Sequence, residues 1–349
     1  MPPCHGPIER IRCGDGGQAP LKFVRAGVFL LVLAALGSVS LVATDFQLFR
    51  YTNIVIYALA LIGMNLLVGY NGQISLGHGA FYAIGAYATA LMVVHAGVPH
   101  WLAVPLAGAM CLVFGALFGL PLLKLAPVHL MMATFAIGVV VPTLGKWKGV
   151  ERWTGGAQGL GIDVPAVPLG LAISFDQWIY LFSLGMTALC FGLMVNLMSG
   201  RIGRAVIAIR DHPIAAQSMG VDAVAYKTAV FGLSAMLVGM AGGLSALSIK
   251  YVAPGLFHPF LSFGLLIGIA VGGLGSLTGA LYGAVVLQAI FLVVGASASA
   301  LRTPYPSLIY GVVLIVFLSL FPQGIAGLIS SAGGWLHRRR GSAASRASR

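Results

Sequence analysis

Apolar residues fill long runs of this chain, and polar residues gather in short breaks between them. A helix that crosses a bilayer needs about 20 mostly apolar residues. Ten runs approach that length, at approximately 26–44, 51–70, 79–95, 100–120, 126–144, 177–198, 228–249, 259–274, 279–297 and 305–321. The pattern predicts an all-α fold, a polytopic helical bundle of about ten transmembrane helices. Gly272, Gly273, Gly275 and Gly279 interrupt the eighth and ninth runs, so broken or re-entrant segments are expected. A basic stretch (Arg10, Arg12, Lys22, Arg25) precedes the first run. That run is longer than the apolar part of a signal peptide, about 7–15 residues, and Leu41-Val42-Ala43 lacks the paired small residues of a cleavage site. A retained first span is therefore expected.

Composition narrows the class. Of 349 residues, 59% are hydrophobic and only 8% are charged, and mean hydropathy is +0.97. A soluble domain carries about 25% charged residues. A soluble enzyme, a secreted disulfide scaffold and a disordered regulator are thereby excluded. Length alone would suggest two or three domains. The apolar content instead predicts one membrane domain at 26–330, after a cytoplasmic segment 1–25 and before a basic, disordered tail 331–349. The 48 Gly and 17 Pro suit membrane helices, where small residues allow close packing and both types create useful breaks.

The net charge of +12 would suggest nucleic acid in a soluble protein. Here the charges lie between apolar runs and set orientation, with no nucleic-acid partner expected. Cytoplasmic loops carry the excess of Lys and Arg. With the N-terminus inside, the inner segments hold Arg10, Arg12, Lys22, Arg25, Lys124, Arg201, Arg204, Arg210, Lys227, Arg338, Arg339, Arg340, Arg346 and Arg349. The outer segments hold only Arg50, Lys146, Lys148, Arg152, Lys250 and Arg302. An even number of spans also returns the basic tail to the cytoplasm. Cys4, Cys13, Cys111 and Cys190 are scattered, so neither a disulfide framework nor a zinc site is expected, and no metal is assigned.

Candidate chemistry is sparse. No Asp, Glu, Lys or Arg lies near the middle of a run, where proton-driven pumps and voltage sensors place them. No GxxxxGK[ST] is present, and no nucleophile–base–carboxylate set is evident, so no catalytic residue is assigned. A transporter with neither an ATPase nor an ion relay needs an outside source of energy.

Three segments stand out. Gly69 through Tyr82 is a Gly-rich, polar break containing Asn71, Gly72, Gln73, Ser75 and His78. Such a break is tolerated at membrane depth where it lines a cavity or packs on protein, and it reads equally as an ordinary cytoplasmic turn. Gly272 through Tyr282, with Gly275, Ser276 and Thr278, echoes it: Ser-Leu-Gly-His-Gly-Ala-Phe-Tyr against Ser-Leu-Thr-Gly-Ala-Leu-Tyr. Matched breaks suggest a repeat-built transporter; helix packing is the alternative reading. The loop 199–227 contains Arg201, Arg204, Arg210 and Asp211 and predicts short amphipathic helices broken near Pro213. Its arginines suit either a cytoplasmic protein partner or membrane lipid phosphates. The other long loop, 145–176, carries Trp147, Trp153 and a Gly-rich turn at Thr154–Gly159.

Taken together these segments resemble the permease subunits of ABC importers for branched-chain amino acids, most closely the LivM type. The resemblance runs from about Tyr51 to Leu328. It is most specific at Gly63-Met64-Asn65-Leu66-Leu67-Val68-Gly69-Tyr70 through Gly85-Ala86-Tyr87, and next at Arg201 through Lys227. Thr154-Gly155-Gly156, Pro254 with Phe257, Gly272–Ser276 and Phe321–Leu328 support it. The resemblance implies a subunit of the bacterial inner membrane, multi-pass, with both termini cytoplasmic. It implies a periplasmic binding protein, a second permease forming a heterodimer, and two cytoplasmic ATPases that hydrolyse ATP, with no cofactor bound by this chain. Ala215-Ala216 followed by Gly220 resembles the EAA-x-x-x-G signature that meets the ATPase, with Ile214 in the place of its Glu. Arg204, Arg210, Asp211, Ala215, Ala216 and Gly220 are the expected coupling residues. Asn71, Gly72, Gln73, Ser75, His78, Gly275, Ser276 and Thr278 are the expected path residues. Related permeases carry urea, short amides, aromatic acids or sugars, and the sequence does not separate these cargoes. A stand-alone channel or ion-coupled carrier and a membrane-embedded enzyme are the remoter alternatives.

Overall fold

The computed structural model describes residues 31–122, 127–163, 173–258 and 260–301, together with 311, 312, 315, 316, 319 and 324–327. The chain divides into two compact units, Met1–Ala43 and Thr44–Arg349. In the first, residues 31–38 are helical and lead into a tight turn at Val39–Leu41. The segment 1–25 and the tail 331–349 lie outside the described residues.

Among the described residues the second unit is mostly helical. Its elements are α1 (Asp45–Asn65), α2 (His78–Val94), α3 (His100–Leu122), α4 (Pro127–Leu144), α5 (Glu151–Thr154), α6 (Phe175–Ser199), α7 (Arg201–Asp211), α8 (Pro213–Ser218), α9 (Ala223–Ile249), α10 (Phe260–Gly272) and α11 (Leu277–Leu301). Two two-residue strands, β1 (Leu160–Gly161) and β2 (Tyr251–Val252), pair antiparallel. Among the described residues six helical stretches are long and apolar enough to cross a membrane, and His78–Val94 and Val128–Leu144 are shorter apolar helices. The second to ninth apolar runs fall on α1–α4, α6 and α9–α11. The first run straddles the limit of the described residues, and the tenth lies mostly outside them.

Local chemistry explains the helix starts. Ser174 Oγ accepts from the Gln177 N–H at 3.2 Å, and Gln177 Oε1 accepts from the Ser174 N–H at 3.0 Å, a reciprocal cap on α6. Asp222 Oδ1 accepts from the N–H groups of Val224 and Ala225 and starts α9. α1 begins six residues before its apolar run, because Thr44 and Gln47 cap it and Asp45 suits its positive end.

α9 is the central helix, packed against α1, α2 and α3. Lipid tails are as apolar as Leu, so close backbone contact between small residues has to hold such helices together. Gly85 on α2 faces Gly239 on α9 so closely that a Cβ there would stand 2.6 Å from the Gly239 Cα. A Cβ on Gly115 of α3 would stand 2.6 Å from the Ala235 Cβ. The two ends of the bundle differ. At one end lie α5, the β1–β2 pair and the Lys250–Asp176 ion pair at 3.0 Å. At the other lie α7, α8, the end of α1 and the start of α11, joined by contacts described below.

Candidate functional site

The first glycine-rich break is a turn followed by a buried non-helical stretch that leads into α2. α1 loosens into a wider π-type turn at Leu66–Tyr70, and the chain turns back at Gly72, whose φ is +70°. Non-helical chain then runs to His78, with Asn71, Gln73, Ser75, Leu76 and Gly77 all buried. The level at which α2 starts follows from its neighbours. His78 joins Ser234, which joins Gly63, and Gly63 lies 18 residues beyond Asp45, about 27 Å along α1 at 1.5 Å per residue. Gly63 is also about 10 Å short of Tyr70 on the same scale. α2 therefore starts well inside the bundle. Irregular backbone at that depth must find its hydrogen bonds within the protein. It does so: the Leu76 N–H donates to Thr134 Oγ1 at 3.1 Å and the Gly79 N–H donates to Ser262 Oγ at 2.8 Å.

His78 closes this segment through a chain of hydrogen bonds on both ring nitrogens. Ser234 donates to the Gly63 carbonyl at 2.6 Å, so its oxygen accepts from His78 Nε2–H at 2.9 Å. The other ring nitrogen, Nδ1, lies 2.9 Å from Ser75 Oγ, which accepts from the Gly77 N–H and has its own proton to give to the ring. This pattern fits a neutral imidazole with the proton on Nε2. The ring is fully buried and meets Phe81 and Phe231 edge-on, with centroids 5.6 and 5.5 Å away. Both ring nitrogens are thus engaged within the chain. Gln73 Oε1 accepts from Asn71 Nδ2 at 2.9 Å, and the buried Asn71 Oδ1 has no partner. Ile74 points outward from the same segment.

The second break lies at the loop-helix end. Asn65, near the end of α1, holds it from both sides. Its Oδ1 accepts from the Gly275 N–H at 2.9 Å and its Nδ2 donates to the Ser276 carbonyl at 2.7 Å. Ser276 Oγ accepts from the Gly279 N–H at 3.1 Å, an ordinary serine cap on α11, and lies 3.1 Å from Thr278 Oγ1. These two hydroxyls are exposed. The structure thus brings Gly72, Gly275 and Ser276 close to Arg210 and Asn65, and sets Ser75 and His78 deeper.

The loop 199–227 forms α7 and α8, with the break at His212 and Pro213 at the first position of α8. α7 buries Gly203, Val206 and Ile209. Ala216 joins Ile209 and Ala223 in a small core under α8. Arg204, Ala215 and Gly220 are exposed. Arg210 turns back into the protein: its Nη1 donates to the Gly69 carbonyl at 2.8 Å, and its Nε pairs with Asp211 Oδ1 at 2.9 Å. Beside Ala215, Ile214 is 80% and Met219 84% exposed. Bare apolar side chains of that size on a short helix suit an apolar pocket on a partner.

Sequence reading did not single out Asn65, Ser234, Ser262 or Thr134 as site residues. Each is an ordinary polar residue inside an apolar run, and a polar residue in such a run is the signal that could have found it. Among the described residues no three His, Cys, Asp or Glu come together to hold a metal ion.

Comparison with known proteins places the chain. The family described as branched-chain amino acid transport system / permease component matches residues 48–318. The high-affinity branched-chain amino acid transport system permease protein LivM of Escherichia coli (strain K12) is 30% identical, over 92% of this chain and 78% of that protein. The corresponding LivH of the same organism is 25% identical over 78% of this chain and 91% of its own length. A probable LivH of Methanocaldococcus jannaschii is 26% identical over 80% and 90%. No solved structure matches. The match across most of the chain, on a fold of apolar helices with buried breaks, shows that it belongs to the branched-chain amino acid transport system permease family.

Proposed function

We propose that this chain is a path-forming permease subunit of an ATP-driven importer for branched-chain amino acids. The likeness to LivM over 92% of the chain carries this reading. A periplasmic binding protein delivers the amino acid, a second permease of the LivH kind completes the path, and two cytoplasmic ATPases supply the energy. The chain itself is no enzyme and binds no cofactor. It crosses the bacterial inner membrane ten times, with both termini and α7–α8 in the cytoplasm; the distribution of Lys and Arg supports that orientation.

The two breaks form the inner part of the path. Gly72, Ile74, Ser276 and Thr278 offer backbone groups, hydroxyls and one apolar side chain to a passing zwitterion. Asn71, Gln73, Ser75 and His78 hold the shape of the first wall, and Gly275 that of the second. A site without buried charge holds its cargo weakly, as a path driven from outside requires. α8 docks on the ATPase through Ile214, Ala215 and Met219, with Arg204, Asp211, Ala216 and Gly220 shaping the same surface.

Affinity purification in mild detergent tests the class, and reconstitution tests the cargo. Recovery of two ATPases and a second permease, with ATP-dependent uptake of leucine, isoleucine or valine in liposomes, is the expected result. A homogeneous lone chain, or uptake without any ATPase, overturns the importer reading. Uptake of urea or a sugar in place of these amino acids overturns the cargo.

A further inference from the structure

At the end of α1 the backbone leaves one acceptor free and places one cation against it. In a regular helix the Gly69 carbonyl would accept from the Gln73 N–H. The wide turn at Leu66–Tyr70 breaks that register, and the Gln73 N–H donates to the Leu67 carbonyl at 3.1 Å. Arg210, reaching in from α7, donates to Gly69 instead. A helix C-terminus carries partial negative charge, so a guanidinium is the favoured partner there. Gly72 makes room for the arm: a Cβ at that position would stand 2.7 Å from the Arg210 Cγ. Asp211 holds the guanidinium through its Nε.

The carbonyl that Arg210 reaches belongs to the junction of both breaks. A Cβ placed on Gly275 would lie 3.5 Å from the Gly69 carbonyl oxygen and 3.8 Å from Arg210 Nη1. One turn back from Gly69, Asn65 clasps Gly275 and Ser276. Tyr70, next along the chain, sits beside the backbone of Leu277 and the Arg210 charge. One side chain of the loop helix therefore touches the point where the two breaks meet.

We propose that Arg210 is a positioning residue that fastens the two breaks to α7 at the inner end of the path, so that displacement of the loop helices moves the path wall. Arg204, Ile214 and Met219 are exposed to the drive, and the Arg210 guanidinium, though partly exposed, contacts what is driven. A charge-assisted hydrogen bond of 2.8 Å to the backbone lets a shift of α7 carry the Gly69 junction with it. The proposal rests on the permease reading above and concerns how that path is moved.

The test uses the full importer in liposomes and reads amino acid imported per ATP hydrolysed. The wild type is measured first: if it recovers no ATPase, the permease reading fails before any variant is made. Arg210→Ala is expected to bring down its ATPases at wild-type yield and to hydrolyse ATP while importing about tenfold less cargo per ATP, the effect of losing one charge-assisted hydrogen bond. Arg210→Lys, whose ammonium can reach the same carbonyl, is expected to recover most of that ratio. Gly72→Ala leaves the guanidinium present but displaces its stem, and adding Arg210→Ala to it is expected to cost nothing more. Gly72→Ala carries the test if Arg210→Ala does not accumulate. A wild-type ratio in Arg210→Ala, additive losses in the double variant, or loss of the ATPases alone with a normal ratio in the residual complex each overturns the proposal.

Discussion

The two glycine-rich breaks echo each other in sequence and do different physical work. In the first, Ser75 and His78 are buried, bonded to each other and, through Ser234, to Gly63 in the last turn of α1. In the second, Thr278 is exposed and Ser276 half-buried, and the serine hydroxyl caps α11 and meets Thr278. The first lifts the start of α2 deep into the bundle, where every polar atom needs a protein partner. The second turns at the end of the bundle, where water can serve. Similar strings thus acquire a scaffold role or an exposed role according to depth alone. Asn65 stands between them, one helical turn from Gly69 and bonded across to Gly275 and Ser276.

Three substitutions sharpen that contrast. The largest effect is expected from His78→Ala. It empties a fully buried ring site between Phe81 and Phe231 and leaves Ser75 and Ser234 short of a partner. A loss of about 3–5 kcal/mol follows from cavity and hydrogen-bond costs combined. Thermal unfolding in detergent measures it, and a melting temperature within a degree or two of wild type would refute the scaffold role. Asn65→Ala comes next, at about 1–3 kcal/mol, because one donor and one acceptor of the second break lose their partner. Its specific sign is a gain in amide hydrogen exchange at Gly275 without change around His78. The smallest effect on folding belongs to Thr278→Val, within about 0.5 kcal/mol for an exposed hydroxyl. A rise in the KM for uptake at unchanged melting temperature is the expected signature of a path residue; an unchanged KM removes Thr278 from the path.

Much of the fold was legible in the chain. The apolar runs at 51–70, 177–198 and 228–249 lie on α1, α6 and α9, because twenty apolar residues in a row have few other ways to satisfy their backbone. Pro213 ends one loop helix and starts the next, as a residue without an N–H must. The short ladder joining Leu160–Gly161 to Tyr251–Val252 had no such signature, since two residues per strand carry no period. The site was legible only as a set of places. Gly69–Tyr82 and Gly272–Tyr282 are visible as breaks, and the arginines of 199–227 as a cluster. Both Arg204 and Arg210 are exposed, and nothing in the order of residues told that the Arg210 guanidinium reaches the Gly69 carbonyl.

By itself the sequence determined that this chain lives in a bilayer, where its second to ninth apolar runs form helices, and which family it joins. Those are matters of local hydropathy and of motif order, and both can be read along a line. The tertiary structure decided which polar residues are scaffold and which are exposed. The deciding contacts join residues far apart: Asn65 with Ser276 across 211 positions, His78 with Ser234 across 156, Arg210 with Gly69 across 141. A hydrogen bond needs its partner within about 3 Å, and only the packing of α1, α2, α7, α9 and α11 places these partners at that distance.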